Sequence, residues 1–189
     1  MNGILLKFRW LAVALVLLLG ATGAARADQT DPRLEALFEK LRIAEVFSIA
    51  HATEQQIWII WHEAPEIPDV AETMEVGLQA MRESRYEDAL HAFDRAVQLA
   101  PDFAEAWNKR ATIHFLMGDY AASVVDVRKT LDLEPRHFGA LSGLGLINLK
   151  LDRKADALAA FEAALEIHPY LPVRFEVDAL REAVRGEKI

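Results

Sequence analysis

From Leu34 onward, apolar residues recur three and four positions apart, which is the period of amphipathic helices rather than strands. Leu34, Leu37, Phe38, Leu41, Ala44 and Phe47 make the first such stripe, opened by Asp31 and Pro32 as a cap and first-turn pair. A second run carries Ile57, Trp58, Ile60 and Trp61, with Thr53 and Gln56 spaced as a capping box at its start and Pro65 at its end. Residues 64–69, with Pro65 and Pro68, read as a linker, and Asp69 followed by Glu72 signals the next helix. Six helices then follow over about 70–83, 85–99, 103–117, 120–133, 137–151 and 153–167, with Ser84 and Glu87 as a further capping box. Their turns, at Ser84, at Gly118-Asp119 and at Asp152, are short enough to force antiparallel neighbours. After Pro169 and Pro172, Val173, Val177, Leu180 and Val184 form one last stripe, flanked by Arg174, Glu176, Asp178, Arg181 and Glu182.

The six central helices are three copies of one unit. Pro101, Pro135 and Pro169 close them at a spacing of 34 residues. Small residues stand in register at Gly77, Ala111 and Gly145, at Ala89, Ser123 and Ala157, and at Ala96, Thr130 and Ala164, while Phe93, Val127 and Phe161 form a bulky row. Close helix crossings need small side chains, so each unit reads as two helices packed face to face. The small rows place the crossing of Gly145 near Ala157 and Ala164.

This register resembles the tetratricopeptide repeat. The resemblance implies an all-α, right-handed solenoid of three helix hairpins, preceded by a helical pair and closed by a C-terminal capping helix. The organisation expected is a signal peptide at 1–27, the helical pair at 28–64, repeats at 70–103, 104–137 and 138–171, and a capping helix at 172–189. The chain departs from the family pattern where an early aromatic, present as Trp107, is replaced by Thr73 and Leu141, and where a later bulky site holds Ala80, His114 and Asn148. These changes predict weaker packing within those repeats. Three repeats are near the minimum for an array, so the helical pair is expected to add core at the first repeat, with Trp58 and Trp61 packing there; stacking on a ligand is the other reading of that pair.

The first residues set the compartment. Lys7 and Arg9 precede the apolar run from Trp10 to Leu19, and a small-residue stretch leads to Ala25-Arg26-Ala27, the pattern of a secretory signal cut before Asp28. As a membrane anchor the run would need about 20 apolar residues, which it reaches only by counting its glycines. Cleavage removes three of the 21 basic residues and none of the 29 acidic ones, leaving 18 against 29 and a net charge of −11 with His neutral. That balance argues against nucleic acid and against anionic membrane surfaces. The chain has no cysteine, hence no disulfide, no thiol nucleophile and no lipidation site after the signal. A periplasmic protein with no stable membrane insertion is the expectation, with full secretion the alternative.

Chemistry is sparse. His51, His62, His91, His114, His137 and His168 show no metal-ligand spacing, and His62-Glu63 lacks the second His of a zinc helix. Gly143 and Gly145 sit inside a helix with no preceding strand, which reads as close packing rather than a phosphate loop. Ser84, Ser123 and Ser142 lack an elbow for nucleophilic catalysis. No catalytic residue, metal or cofactor is expected, and the chain is not read as an enzyme.

What the resemblance implies instead is a concave groove lined by the first helix of each repeat. By register, Met74, Asn108 and Ser142 form one ladder, Glu75, Lys109 and Gly143 a second, and Leu78, Thr112 and Leu146 a third, with Arg82, Leu116 and Lys150 beyond. Two readings of Asn108-Lys109-Arg110 stand together: a basic point that grips a carboxylate, or a packed Arg110 stem beside a solvated Lys109. The function expected is a periplasmic interaction scaffold that binds a protein or peptide in this groove, in envelope assembly. The alternative is an accessory or regulatory subunit of an envelope enzyme complex.

Overall fold

A computed structural model describes residues 29–186; the expected signal peptide lies outside the described residues. Within them the chain forms helices α1 (Arg33–Arg42), α2 (Phe47–His62), α3 (Val70–Arg82), α4 (Tyr86–Leu99), α5 (Ala104–Leu116), α6 (Tyr120–Leu133), α7 (Phe138–Lys150), α8 (Lys154–Ile167) and α9 (Arg174–Gly186). The central six pack as the hairpins α3–α4, α5–α6 and α7–α8, each against the next, in an all-α solenoid.

Each hairpin turn is built the same way. Ser84, Gly118 and Asp152, 34 residues apart, all take a left-handed backbone, at φ 58°, 82° and 55°. The next amide then donates back to the carbonyl five residues earlier: Arg85 to Ala80 at 2.9 Å, Asp119 to His114 at 2.9 Å and Arg153 to Asn148 at 2.8 Å. This is a Schellman cap, and it satisfies carbonyls that the helix end leaves open. Ser84 therefore closes α3 and does not open α4, which starts from Arg85 without a side-chain cap. The expected Ser84–Glu87 capping box does not form, because a residue held in the left-handed region has left the extended geometry of an N-cap.

Inside the hairpins the small and bulky rows meet each other. A Cβ on Gly77 would lie 2.6 Å from the ring of Phe93, and one on Gly145 would clash still more closely with the ring of Phe161. In the middle repeat the pair is Ala111 and Val127, in one cluster. The larger residue of the first helix faces the smaller one of the second, so the sum is kept. Gly145 thus abuts Phe161, not Ala157 or Ala164, because only a flat ring fills the space its missing side chain leaves.

The N-terminal hairpin departs from expectation in three ways. Helix α2 begins at Phe47, which is exposed on it and not part of the first stripe. Thr53 lies inside α2, fully buried, with Oγ1 donating to the Ile49 carbonyl at 2.8 Å. A hydroxyl with a carbonyl in reach one turn back satisfies itself within the helix, so no capping box forms there. Nor do α1 and α2 pack on the first repeat. Their core joins Leu34, Phe38, Ile57 and Trp61 to Phe138, Ala164 and Leu171 of the third, and contains no residue of α3 or α4.

The first repeat ends the array without that cover. Thr73, where Trp107 packs one repeat later, donates its hydroxyl to the Asp69 carbonyl at 2.5 Å, and Asp69 pairs with Arg95 at 3.1 Å. Thr73 is itself buried, so this bond satisfies its hydroxyl inside the first repeat, where the middle repeat has an aromatic. At the other end α9 lays Val177 and Leu180 on Ala157 and Phe161 of α8.

Candidate functional site: the concave groove

Helices α5 and α7 leave a cleft of about 330 Å³ between them, lined by Asn108, Thr112, Ser142 and Leu146 together with Ala111, Phe115, Leu116, Gly143 and Ile147. Thr112 Oγ1 donates to the Asn108 carbonyl at 2.9 Å, and Ser142 Oγ is buried with no hydrogen bond. Leu146 is 44% exposed at the rim. None of the lining residues is charged. The rest of the expected set lies elsewhere: Met74 is buried in the core of the first two repeats, Leu78 packs on that core, and Glu75 pairs outside with Arg82 at 2.9 Å. Three ladders across one groove do not form, since Met74 and Leu78 pack into the core of the first two repeats.

The basic point of the sequence is neutralised within the chain. Lys109 Nζ lies 2.7 Å from Oε1 of Glu105, one turn back on the same helix, and Asn108 Nδ2 donates to Oε2 at 2.9 Å. Arg110 points away from the cleft, holding Asp126 through two bonds of 2.7 Å and Asp94 through one of 2.8 Å, with its guanidinium over the Trp107 ring. A carboxylate grip by Asn108-Lys109-Arg110 is therefore already filled, by the protein's own acids. Neither residue carries a free charge.

Glu105 is the centre of this arrangement and is 1% exposed. Besides Lys109, its Oε1 meets His62 Nε2 at 2.9 Å, as charge contacts rather than aligned hydrogen bonds, and its Oε2 meets His137 Nε2 at 3.1 Å. His137 is the N-cap of α7: its Nδ1 accepts the Ala140 N–H at 3.0 Å, which assigns the hydrogen to Nε2 as donor to Glu105. Its ring stacks on Trp61 with centroids 4.2 Å apart. Burial by itself would push the Glu105 carboxyl up, but the charge of Lys109, the bond from His137 and the close approach of His62 outweigh it and hold the group well below the ordinary carboxylate range. Two His and one acid have the look of a metal donor set. The ammonium of Lys109 stands against the same oxygen, however, and His137 spends Nε2 as a donor, so the cluster is an ion-pair knot.

Helix α2 reaches this knot from outside. Trp58 lies against Gly139, where a Cβ would come within 2.8 Å of its Cη2. Glu105, His62, His137 and Gly139 were not read as site residues. Glu105 and Gly139 occupy the register position that holds Ala71 in the first repeat, and an acid among small residues at a helix crossing was the one legible signal.

The model of the tetratricopeptide repeat matches residues 77–127 and 117–172. A TPR repeat-containing protein of Rhizobium etli is 34% identical over 157 residues, which span 82% of this chain and 76% of that protein. The first TPR of Spaghetti (RPAP3), solved bound to an HSP90 peptide, superposes with a TM-score of 0.61 at 18% identity over 64% of this chain and 96% of its own. The Arabidopsis OM64 TPR domain gives a TM-score of 0.59 at 20% identity, over 61% of this chain and 97% of its own. With its three in-register hairpins, this chain belongs to the tetratricopeptide repeat family.

Proposed function

We propose that this protein is a non-catalytic scaffold, exported by its signal to the periplasm, that holds a polypeptide in the cleft between α5 and α7 and serves in envelope assembly. The observation that carries the reading is an uncharged cleft of about 330 Å³ in a chain of net charge −8. Such a floor receives an apolar side chain, for which burial is favourable by about 25 cal/mol per Å². Thr112, whose hydroxyl hydrogen goes to the Asn108 carbonyl, keeps its oxygen as an acceptor for the backbone that carries it. That a relative in fold was solved with a peptide supports a polypeptide over a small molecule.

The test uses a fluorescent, reduced and carboxymethylated lactalbumin as an unfolded reporter. Parent protein should bind it, and Leu146→Glu, which sets a charge at the apolar rim, should weaken binding by roughly tenfold or more, about 1.4 kcal/mol or above. Equal affinity in both would remove the cleft from the function. A mature N-terminus at Asp28, read by mass spectrometry on the periplasmic fraction, checks the export.

A further inference from the structure

The upper end of the groove is already filled, by the chain itself. Trp58 covers Gly139, which also lines the α5–α7 cleft. Its indole stacks on His62 at 5.4 Å and has Lys109 Nζ 5.6 Å from its ring centre. Thus α2 sits over Glu105, Asn108 and Lys109, at the mouth of the groove.

Several features set this hairpin apart from the array it covers. The clusters within the first two repeats, between α6 and α7, and between α8 and α9 contain no residue of α1 or α2, whose own core reaches the array at Phe138, Ala164 and Leu171 of the third repeat. The tether leaves α2 at Glu63 in an extended backbone, passes Pro65 and Pro68, and enters α3 through Asp69 at φ 68°. Among the described residues, α2 is tied to the array by ion pairs of His with carboxylate, His62 with Glu105 and Glu54 with His168 at 3.4 Å, and α1 by Glu35 with Arg136 at 2.9 Å. Outward, α2 exposes Phe47, Ile49 and Ile59, so it is apolar on both sides, the pattern of a helix that has a second surface to cover.

We propose that the α1–α2 hairpin is a displaceable occupant of the groove: docked, it closes the mouth over Glu105, Asn108, Lys109 and Gly139, and released, it admits a polypeptide there while the array keeps its fold. This rests on the groove reading above. The entering segment replaces what leaves, so it brings an aromatic side chain for the Trp58 seat on Gly139 and a hydrogen-bond donor for the place of His62 beside Glu105. A groove open only part of the time binds more weakly by the open fraction, and removing the occupant restores the intrinsic affinity.

The experiment compares the parent, Gly139→Leu, and the double change Trp58→Ala with His62→Ala, all as the full mature chain. Hydrogen exchange by mass spectrometry reports docking, and the carboxymethylated lactalbumin reporter reports access. In both variants α2 amides should exchange at least about tenfold faster while α5–α8 keep their protection; reporter affinity should rise about tenfold in the double variant, and not in Gly139→Leu, whose side chain fills the aromatic seat. Exchange that rises in α5–α8 along with α2 in the double variant makes the hairpin part of the array's core and overturns the proposal. A freed α2 in the double variant with unchanged reporter affinity also overturns it, and if Leu146→Glu still weakens binding by roughly tenfold the groove reading survives alone. A reporter that binds none of the proteins sinks the groove reading and this proposal with it. Should Gly139→Leu fail to fold, the double variant, which leaves every array residue in place, decides by itself.

Discussion

Gly145 and Phe161 test the packing of the repeats most directly. A Cβ on Gly145 would clash with the edge of the Phe161 ring, whereas the middle repeat fills the same crossing with Ala111 and Val127. Gly145→Ala alone forces the ring aside at a cost of about 1–3 kcal/mol, against a gain of about 1 kcal/mol in helix propensity, for a net loss of about 1 kcal/mol. Phe161→Val alone leaves a void where a fully buried ring stood, at about 2–4 kcal/mol. Together the two changes recreate the middle repeat's pair, and the new methyl enters the space the ring vacates. The double variant should therefore recover about 1–2 kcal/mol relative to the sum of the single losses. Urea unfolding followed by circular dichroism at 222 nm measures the cycle, with an unchanged m-value as the condition for comparing midpoints. Losses that add to within about 0.5 kcal/mol would show that the two side chains do not share one space, and the account of the hairpin crossing would fall.

Two further predictions rest on the turns and the ion-pair knot. Ser84→Gly should stabilise by up to about 1 kcal/mol by relieving the left-handed residue, and Gly118→Ala should cost about as much, both read from thermal midpoints. The carboxyls of Glu105 and Glu54 are held below their ordinary values, Glu105 against its burial by Lys109 and the two His, Glu54 chiefly by its bond with His168. Lowered groups contribute stability that is complete above their unfolded pKa, about 4.3, and that drains away as pH falls through the lower folded values. Midpoints should thus be insensitive to these two groups from pH 7 to about 5 and fall below about 4, with Glu105→Gln flattening that fall. At neutral pH Glu105→Gln should itself cost about 3 kcal/mol by leaving Lys109 without its buried partner; a neutral effect would mean that the knot is open to water.

How much of this was legible follows from the range of each interaction. The hairpins could be read because their determinants are local and repeated: a 34-residue rhythm of small and bulky residues states which faces cross, and three copies average out the exceptions. The left-handed turn was visible only at Gly118. Ser84 and Asp152 adopt the same backbone because the Schellman hydrogen bonds around them hold it, not because their residue type prefers it. That Thr73 satisfies its hydroxyl on the Asp69 carbonyl was not legible, since the register marks only the missing aromatic.

The groove divides in the same way. Its location came from the repeat, and Asn108, Thr112, Ser142 and Leu146 do line one cleft. Its charge did not. Glu105 lies four residues before Lys109 and is visible as its partner, yet its burial depends on His62 and His137, which approach from 43 residues before it and 32 after. The sequence by itself determined the repeats, their boundaries and the helix that closes them, because those rest on contacts between neighbours along the chain. Where the N-terminal hairpin lies was decided only by tertiary structure. It has no repeat signature to dictate a seat, and what seats Trp58 is the missing side chain of Gly139, a space that exists only once α5 and α7 stand side by side.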